Sequence, residues 1–308
     1  MYELIIIGGG PGGVAAGVYA ARKKIKTLLI TELFGGQSMV SADVQNWIGT
    51  KSISGFDLAK NLEDHIRAQE SIEIRSPELV TGVQEIDGGF QVATDKNNTF
   101  QTKTIIVTSG SRRRRLGVPG EKEFDGKGVA YCSTCDAPLF SGKTVAVVGG
   151  GNAGLEAVVD LFPYAEKIYL LEYGETLKGD PVTQERVKNG LRPVEIIFNA
   201  ETEAVAGEKF VSGLRYKDRA SGKQKELKLD GVFVEIGAIP NAEMIKDLVA
   251  LNKHGEVVID SKTGKTSREG IWAAGDVTDD PFKQNNISAG DAVKAALSCY
   301  QYLLNAKR

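Results

Sequence analysis

Leu4-Ile5-Ile6-Ile7 is an unbroken apolar run that ends in Gly8-Gly9-Gly10-Pro11-Gly12-Gly13. An Ala-rich stretch of helical character, 14–22, follows, and then a second apolar run, 27–30. This order predicts a strand, a glycine turn, a helix and a parallel strand. The pattern returns later in the chain. Thr144-Val145-Ala146-Val147-Val148 leads into Gly149-Gly150-Gly151-Asn152-Ala153-Gly154, a helical stretch 155–162 and an apolar run 167–171. Gly8 to Thr31 and Gly149 to Glu172 each span 23 positions, so one unit occurs twice. Between the copies, 78–108 alternates apolar and polar residues, with turn signals at Gly88-Gly89 and Asn97-Asn98, which predicts antiparallel strands. The stretch 194–235 reads the same way, with a turn near Ser221-Gly222, and 288–304 reads as a closing helix.

The length, 308 residues, exceeds what one ordinary core holds and predicts two domains. The stretches 112–121 and 237–241 each contain Gly and Pro and are the expected crossings between them. Lys plus Arg number 38 against 40 for Asp plus Glu, a balance that argues against a nucleic-acid binder. No apolar run has the length of a bilayer-spanning helix, and Met1-Tyr2-Glu3 lacks a charged leader, so a cytoplasmic location is expected. Three Cys and two His leave no room for a disulfide framework.

Each glycine turn follows a strand, opens a helix and has an acid near the end of the next strand, and dinucleotide binding needs all three parts. Gly8 permits the tight turn, Gly10 lets a pyrophosphate approach the backbone, and Gly13 lets helix and strand pack closely; Gly149, Gly151 and Gly154 repeat these roles. The helix start adds unpaired N–H groups and a positive dipole end. The bland alternative is a pair of tight turns that bind nothing, and it leaves the duplicated context unexplained. Glu172, at the end of its apolar run, can accept hydrogen bonds from a ribose hydroxyl and would repel the extra phosphate of NADPH. Tyr173, Gly174 and Glu175 supply no cation to offset it, so NADH is expected. In the first copy Thr31 stands at that position and the acid, Glu32, comes one residue later.

Cys132-Ser133-Thr134-Cys135 is followed at once by Asp136. Two thiols three residues apart can close a disulfide and be poised for exchange. Zinc needs about four ligands, and Cys299, His65 and His254 do not stand at finger-like spacing; inert buried cysteines are the other rival. Asp136 reads either as a turn acid or as a proton donor and acceptor for a neighbouring thiol. The basic run Arg112-Arg113-Arg114-Arg115 reads as a solvated linker, with guidance of an acidic partner or a phosphate as the alternative. Cys299 reads as a packed core thiol, and both histidines as surface residues.

The order of first glycine turn, Cys-x-x-Cys-Asp, second glycine turn and late Gly-Asp resembles the low-molecular-weight thioredoxin reductase family. It is most similar to the reductase module of the alkyl hydroperoxide reductase flavoprotein subunit. The matching stretches are Phe34-Gly35-Gly36-Gln37, Asn46-Trp47-Ile48-Gly49, Val118-Pro119-Gly120-Glu121, Cys132 to Asp136, Gly151-Asn152-Ala153-Gly154, Leu170-Leu171-Glu172, Ile236-Gly237 with Pro240-Asn241, Ala274-Gly275-Asp276 and Lys283-Gln284. They run from Tyr2 to the last helix. The resemblance implies an α/β fold of two Rossmann-like dinucleotide-binding domains of the pyridine nucleotide-disulfide oxidoreductase type. It implies an FAD domain of 1–115 and 241–308, with an NAD(P)H domain bearing the CxxC, 116–240, inserted between. FAD would be held by Gly8, Gly10, Pro11, Gly12, Gly13, Glu32, Gly36, Gln37, Asn46, Gly110, Gly275, Asp276, Lys283, Gln284 and Asn285. NADH would be held by Gly149, Gly151, Asn152, Ala153, Gly154, Glu172 and Gly237. Cys135 would face the flavin, Cys132 would attack the partner's disulfide, and the domains would rotate so that NADH and the dithiol take turns. A homodimer is implied as well.

Three departures qualify this. A His-Arg-Arg run marks the NADPH-using thioredoxin reductases where this chain has Glu172-Tyr173-Gly174, which agrees with NADH. The chain begins at the first strand, without the extra thioredoxin-like domain of the hydroperoxide reductase subunit, so its protein disulfide is expected in trans. Asn285 replaces the usual Ala or Ile. The leading reading is a flavin-dependent reductase of a thioredoxin-, glutaredoxin- or peroxiredoxin-adaptor-like disulfide. An NADH oxidase passing electrons to oxygen is the second, and a redox-sensing flavoprotein the third.

Overall fold

β1 (Tyr2–Gly9) sends Leu4 and Ile6 into one apolar layer and Ile5 and Ile7 into another. Successive residues of a strand point to opposite faces, so an unbroken apolar run is what a strand covered on both sides requires. The computed structural model describes residues 1–41, 44–190 and 192–306. The chain divides into two compact units, the first made of 1–112 with 239–308 and the second of 113–238.

In the first unit β1 leads through the glycine turn into α1 (Pro11–Arg22) and returns as β2 (Thr27–Phe34), parallel to β1. The strands Ile72–Arg75, β2, β1, Thr99–Val107, Gly89–Thr94 and Val80–Ile86 lie side by side in that order, and Ile271–Ala273 pairs parallel with Thr99–Val107. The stretch 78–108 thus supplies antiparallel strands, the last of which also joins β1 in parallel. Ala16 and Ala20 of α1 share one core with Ala292, Ala295 and Ala296 of the closing helix Asn285–Asn305. Small side chains let the two helices approach closely, which is why both segments are Ala-rich.

The second unit repeats the arrangement with β3 (Thr144–Val148), α2 (Asn152–Leu161) and β4 (Lys167–Leu171). Its sheet runs Val194–Ile197, β4, β3, β5 (Gly231–Val234) and Val129–Ala130, all parallel. The expectation of antiparallel strands across 194–235 therefore holds only for Ala200–Gly207, Val211–Asp218 and Gln224–Lys228. The flanking strands belong to the parallel sheet. β5 is buried along its whole length, the mark of a strand covered on both faces rather than of an alternating hairpin. Both units are Rossmann-like, and no helix among the described residues is long and apolar enough to cross a membrane.

A Cβ on Gly154 would stand 1.7 Å from the backbone oxygen of Gly149, whereas one on Gly151 would meet no atom within 4 Å. Gly154→Ala is expected to destabilise the second unit by about 3 kcal/mol, and Gly151→Ala by less than about 0.5 kcal/mol. Denaturant unfolding of the two variants checks the contrast.

Candidate functional site

In the first unit the turn after β1 is held by steric necessity. Gly8 has φ +111° and a Cβ there would lie 2.4 Å from the Thr108 oxygen, while a Cβ on Gly13 would lie 1.8 Å from the Gly8 oxygen. Gly10 is different. Its backbone is extended (φ −71°, ψ −176°) and a Cβ would meet nothing within 4 Å. Nothing in the protein's own packing explains a glycine there, so the space above it fits a ligand that approaches the backbone. Gly10 also caps α1 without any side-chain hydrogen bond, which leaves the first amides of the helix facing that space.

The space is a cavity of about 730 Å³. Gly8, Gly10, Pro11, Gly12, Glu32, Gly36, Gln37, Gly110, Gly275, Asp276 and Asn285 all line it, while Gly13 lies behind the turn. Gln37 Nε2 donates to Asp276 Oδ2 at 3.3 Å and to Ser111 Oγ at 3.2 Å, joining residues far apart in sequence. Asn46 Nδ2 donates to Gln284 Oε1 at 3.2 Å. The Lys283 ammonium bonds to the Thr278 carbonyl and pairs with Glu256 at 3.1 Å. Asn46, Lys283 and Gln284 are not among the lining residues. The departure at Asn285 has a local account: its Nδ2 donates to Ser38 Oγ at 2.8 Å, tying the closing helix to the segment after β2.

Arg112, Arg114 and Arg115 of the basic run are exposed, as expected of a solvated stretch, but two of them are held by partners. Arg112 lines the cavity and is fixed by Asn241 Oδ1 at 2.7 Å and Glu243 at 2.6 Å, and that hydrogen bond holds the Glu243 carboxyl below its ordinary value. Arg113 is half-buried and faces Asp136. Arg115 lies over the Tyr131 ring and pairs with Asp125 at 2.9 Å. Arg114 has an exposed side chain, and its N–H donates to the Gly237 oxygen. Four consecutive arginines read as one charged patch, but Arg112 and Arg115 are engaged by different acids, Glu243 and Asp125.

The second unit repeats the turn. A Cβ on Gly149 would lie 2.4 Å from the Glu235 oxygen, and Gly151 is again an extended glycine with open space where a Cβ would stand. Asn152 and Ala153 are exposed at the start of α2, and Asn152 Oδ1 accepts from the Asp180 N–H at 2.7 Å. Gly237 has φ +98°. Glu172 is buried and its carboxylate accepts from the N–H groups of Gly150 at 2.8 Å and Gly174 at 2.7 Å. The local sequence offers no cation, yet the fold brings two nearby. Lys178 Nζ stands 3.9 Å from Glu172, and Arg219 covers the Tyr173 ring at 4.0 Å.

Cys132 and Cys135 are joined as a disulfide, with Cα atoms 5.3 Å apart. Cys132 caps the short helical turn Ser133–Asp136. Ser133 Oγ and Thr134 Oγ1 donate to Asp160 at 2.8 and 3.3 Å. Asp160 is on α2, so the helix whose start forms the nucleotide-type turn also anchors the cysteine turn. Burial pushes the Asp136 carboxyl up to about 6, against the pull of the Arg113 guanidinium. Asp160 and Glu235, both beside this turn, are marked by no spacing or motif. Cys299 is fully buried beside Thr104, and burial pushes its thiol up to about 12. His65 and His254 are exposed.

A family profile described as pyridine nucleotide-disulphide oxidoreductase matches residues 2–296. The chain belongs to that family. It is an oxidoreductase whose family chemistry implies FAD and a nicotinamide nucleotide, and the two open glycine turns fit both. The chain is 40% identical over 303 residues to an NADH dehydrogenase of Bacillus subtilis, covering 98% of this chain and 59% of that protein. It is 41% identical over 306 residues to an alkyl hydroperoxide reductase subunit of Pseudomonas putida, covering 98% and 58%. It therefore spans somewhat over half the length of these relatives. The thioredoxin reductase of Streptococcus pyogenes superposes with a TM-score of 0.89 at 30% identity, over 99% of both chains. The disulfide-oxidoreductase character expected from the CxxC and the doubled glycine turns stands.

After reduction of the native protein, iodoacetamide is expected to label Cys132 and Cys135 and to spare Cys299, whose thiol is buried and scarcely ionised. Peptide mass spectrometry before and after denaturation checks this; labelling of Cys299 in the native protein would contradict it.

Proposed function

We propose that this chain is an NADH-dependent flavoprotein reductase of protein disulfides. In this reading the first unit holds FAD and the second holds NADH. The Cys132–Cys135 pair exchanges electrons with a thioredoxin-, glutaredoxin- or peroxiredoxin-adaptor-like protein. The observation that carries it is one compact unit that bears a bonded cysteine pair, a carboxyl poised near neutrality and a nucleotide-type glycine turn. The names of the relatives, a peroxide-system subunit and thioredoxin reductases, support a protein disulfide as the acceptor.

FAD, when bound, supplies the two-electron step that couples a nicotinamide to a disulfide. The rest falls to the chain. Gly10 and the first amides of α1 would receive a pyrophosphate, Glu32 would accept from a ribose, and Asp276 with Gln37 would hold the ribityl chain. Asn285, which lines the cavity, would lie toward the ring, with Asn46 and Gln284, bonded to each other, behind it. Glu172, held by two backbone N–H groups, offers an acceptor to a ribose hydroxyl and a like charge to a 2′-phosphate. Lys178 and Arg219 weaken that repulsion, so the expectation is preference for NADH rather than exclusion of NADPH. A sulfur leaving a disulfide takes up a proton, and an attacking thiol loses one. Asp136 serves both directions, as a proton acceptor where it is ionised, above about pH 6, and as a donor below.

Cys135→Ser is expected to keep flavin bleaching by NADH in anaerobic stopped flow and to lose reduction of oxidised thioredoxin. Reduction that persists would reject the dithiol relay. Asp136→Asn is expected to lower disulfide turnover about a hundredfold and to remove the limb of the pH–rate profile near pH 6. Glu172→Ala is expected to cost about tenfold in kcat/KM for NADH and less for NADPH, measured with each nucleotide in turn.

A further inference from the structure

The cavity of the first unit is lined by four acids, Glu32, Glu78, Glu243 and Asp276, and, among the described residues, by one base, Arg112. If this cavity is the FAD site, its occupant is a dinucleotide with two negatively charged phosphates. Carboxylates around an anion oppose its binding, and the amides at the start of α1 supply only partial positive charge. Lys283 lies outside the lining and is paired with Glu256. The full positive charge that the wall sets against a phosphate is that of Arg112.

This side chain is held in place. Asn241 is pinned to the segment that leaves the glycine turn, where Thr108 and Ser109 abut Gly8. Its N–H donates to the Gly110 oxygen at 3.0 Å and its Nδ2 to the Ser109 oxygen at 2.8 Å, and its own backbone oxygen accepts from Ser109 Oγ at 2.6 Å. Asn241 Oδ1 then receives one terminal nitrogen of Arg112 at 2.7 Å, and Glu243 receives the other at 2.6 Å. A guanidinium carries five N–H donors in a planar fork, so these two contacts leave part of the fork for a ligand. All of these residues belong to the first unit, and Ser109, Gly110, Asn241 and Glu243 line the same cavity.

We propose that Arg112 is the residue that offsets the phosphate charge of the dinucleotide in the first unit, and that Asn241 and Glu243 are positioning residues that hold its guanidinium at the cavity wall. The assignment rests on the reading of this cavity as the FAD site. Glu243 has two opposed effects. It fixes the fork, and, kept ionised by the Arg112 hydrogen bond, it sets a negative charge near the same anion.

The test reads FAD affinity directly. The flavin-loaded full chain is diluted in steps, and free FAD in the ultrafiltrate gives Kd at about 0.05 and about 0.5 M salt. Arg112→Gln removes the charge and is expected to weaken FAD about tenfold at the lower salt and by less at the higher. Glu243→Gln keeps an acceptor for Arg112 and removes the opposing charge; it is expected to bind FAD at least as tightly as the wild type, up to about threefold more tightly. A role confined to bracing the wall predicts instead that both variants weaken FAD alike, whatever the salt. An unchanged Arg112→Gln, a loss in that variant that salt does not diminish, or a weakened Glu243→Gln overturns the assignment. The measurement uses neither NADH nor a protein partner. A chain that shows these shifts yet reduces no protein disulfide would sink the functional reading alone. Disulfide reduction intact with an unchanged Arg112→Gln would sink this assignment alone.

Discussion

Two contacts that cannot tolerate one extra carbon organise the molecule. Gly13 and Gly154 each stand where a Cβ would press to within 2 Å of a backbone oxygen, that of Gly8 and that of Gly149. Close approach of helix to strand at these points aims the free amides of each helix start at open space rather than at protein. The glycines between them, Gly10 and Gly151, then have no packing reason to lack a side chain. The same motif thus contains glycines the fold demands and glycines that no contact within the protein demands.

The second unit adds a coupling absent from the first. α2 begins at the glycine turn and carries Asp160 nine positions into its ten-residue length, where it holds Ser133 and Thr134. Nucleotide turn and cysteine turn are therefore mounted on opposite ends of one rigid rod. Among the acidic groups around the cysteine turn, Asp136, Asp160 and Glu235, the guanidinium of Arg113 offsets the charge of Asp136 and Glu235. Removing charged groups from water raises the cost of ionising each, which brings Asp136 and Glu235 towards the pH range in which thiols exchange.

Much of this is legible from spacing. The duplicated run of strand, glycine turn and helix, the acid at its end and the cysteine pair are local patterns, and local patterns survive into structure because the backbone constraints behind them are local. The parallel strands Val194–Ile197 and Gly231–Val234 are less legible, since short apolar runs carry no sign of which neighbour they join. Asp160, Glu235, Lys178 and Arg219 are invisible for a different reason. Each is an ordinary residue in an ordinary segment: Asp160 sits near the end of a helix, Lys178 in the loop after β4 and Arg219 in a turn between antiparallel strands, and no spacing marks what any of them meets. Arg112 and Arg115 mislead in the opposite sense, because charges close in sequence are engaged by different acids, Glu243 and Asp125.

The second unit is an insertion, and its ends meet. The N–H of Arg114 donates to the oxygen of Gly237 at 3.0 Å, and on the other side the N–H of Asn241 donates to the oxygen of Gly110 at 3.0 Å. α1, near the beginning of the chain, shares its core with the closing helix Asn285–Asn305, near the end. A ribosome delivering this chain therefore completes the inserted unit while the first still lacks its last helix. The nascent α1 waits with its alanine face bare for about 260 residues, so the half that starts first finishes folding last.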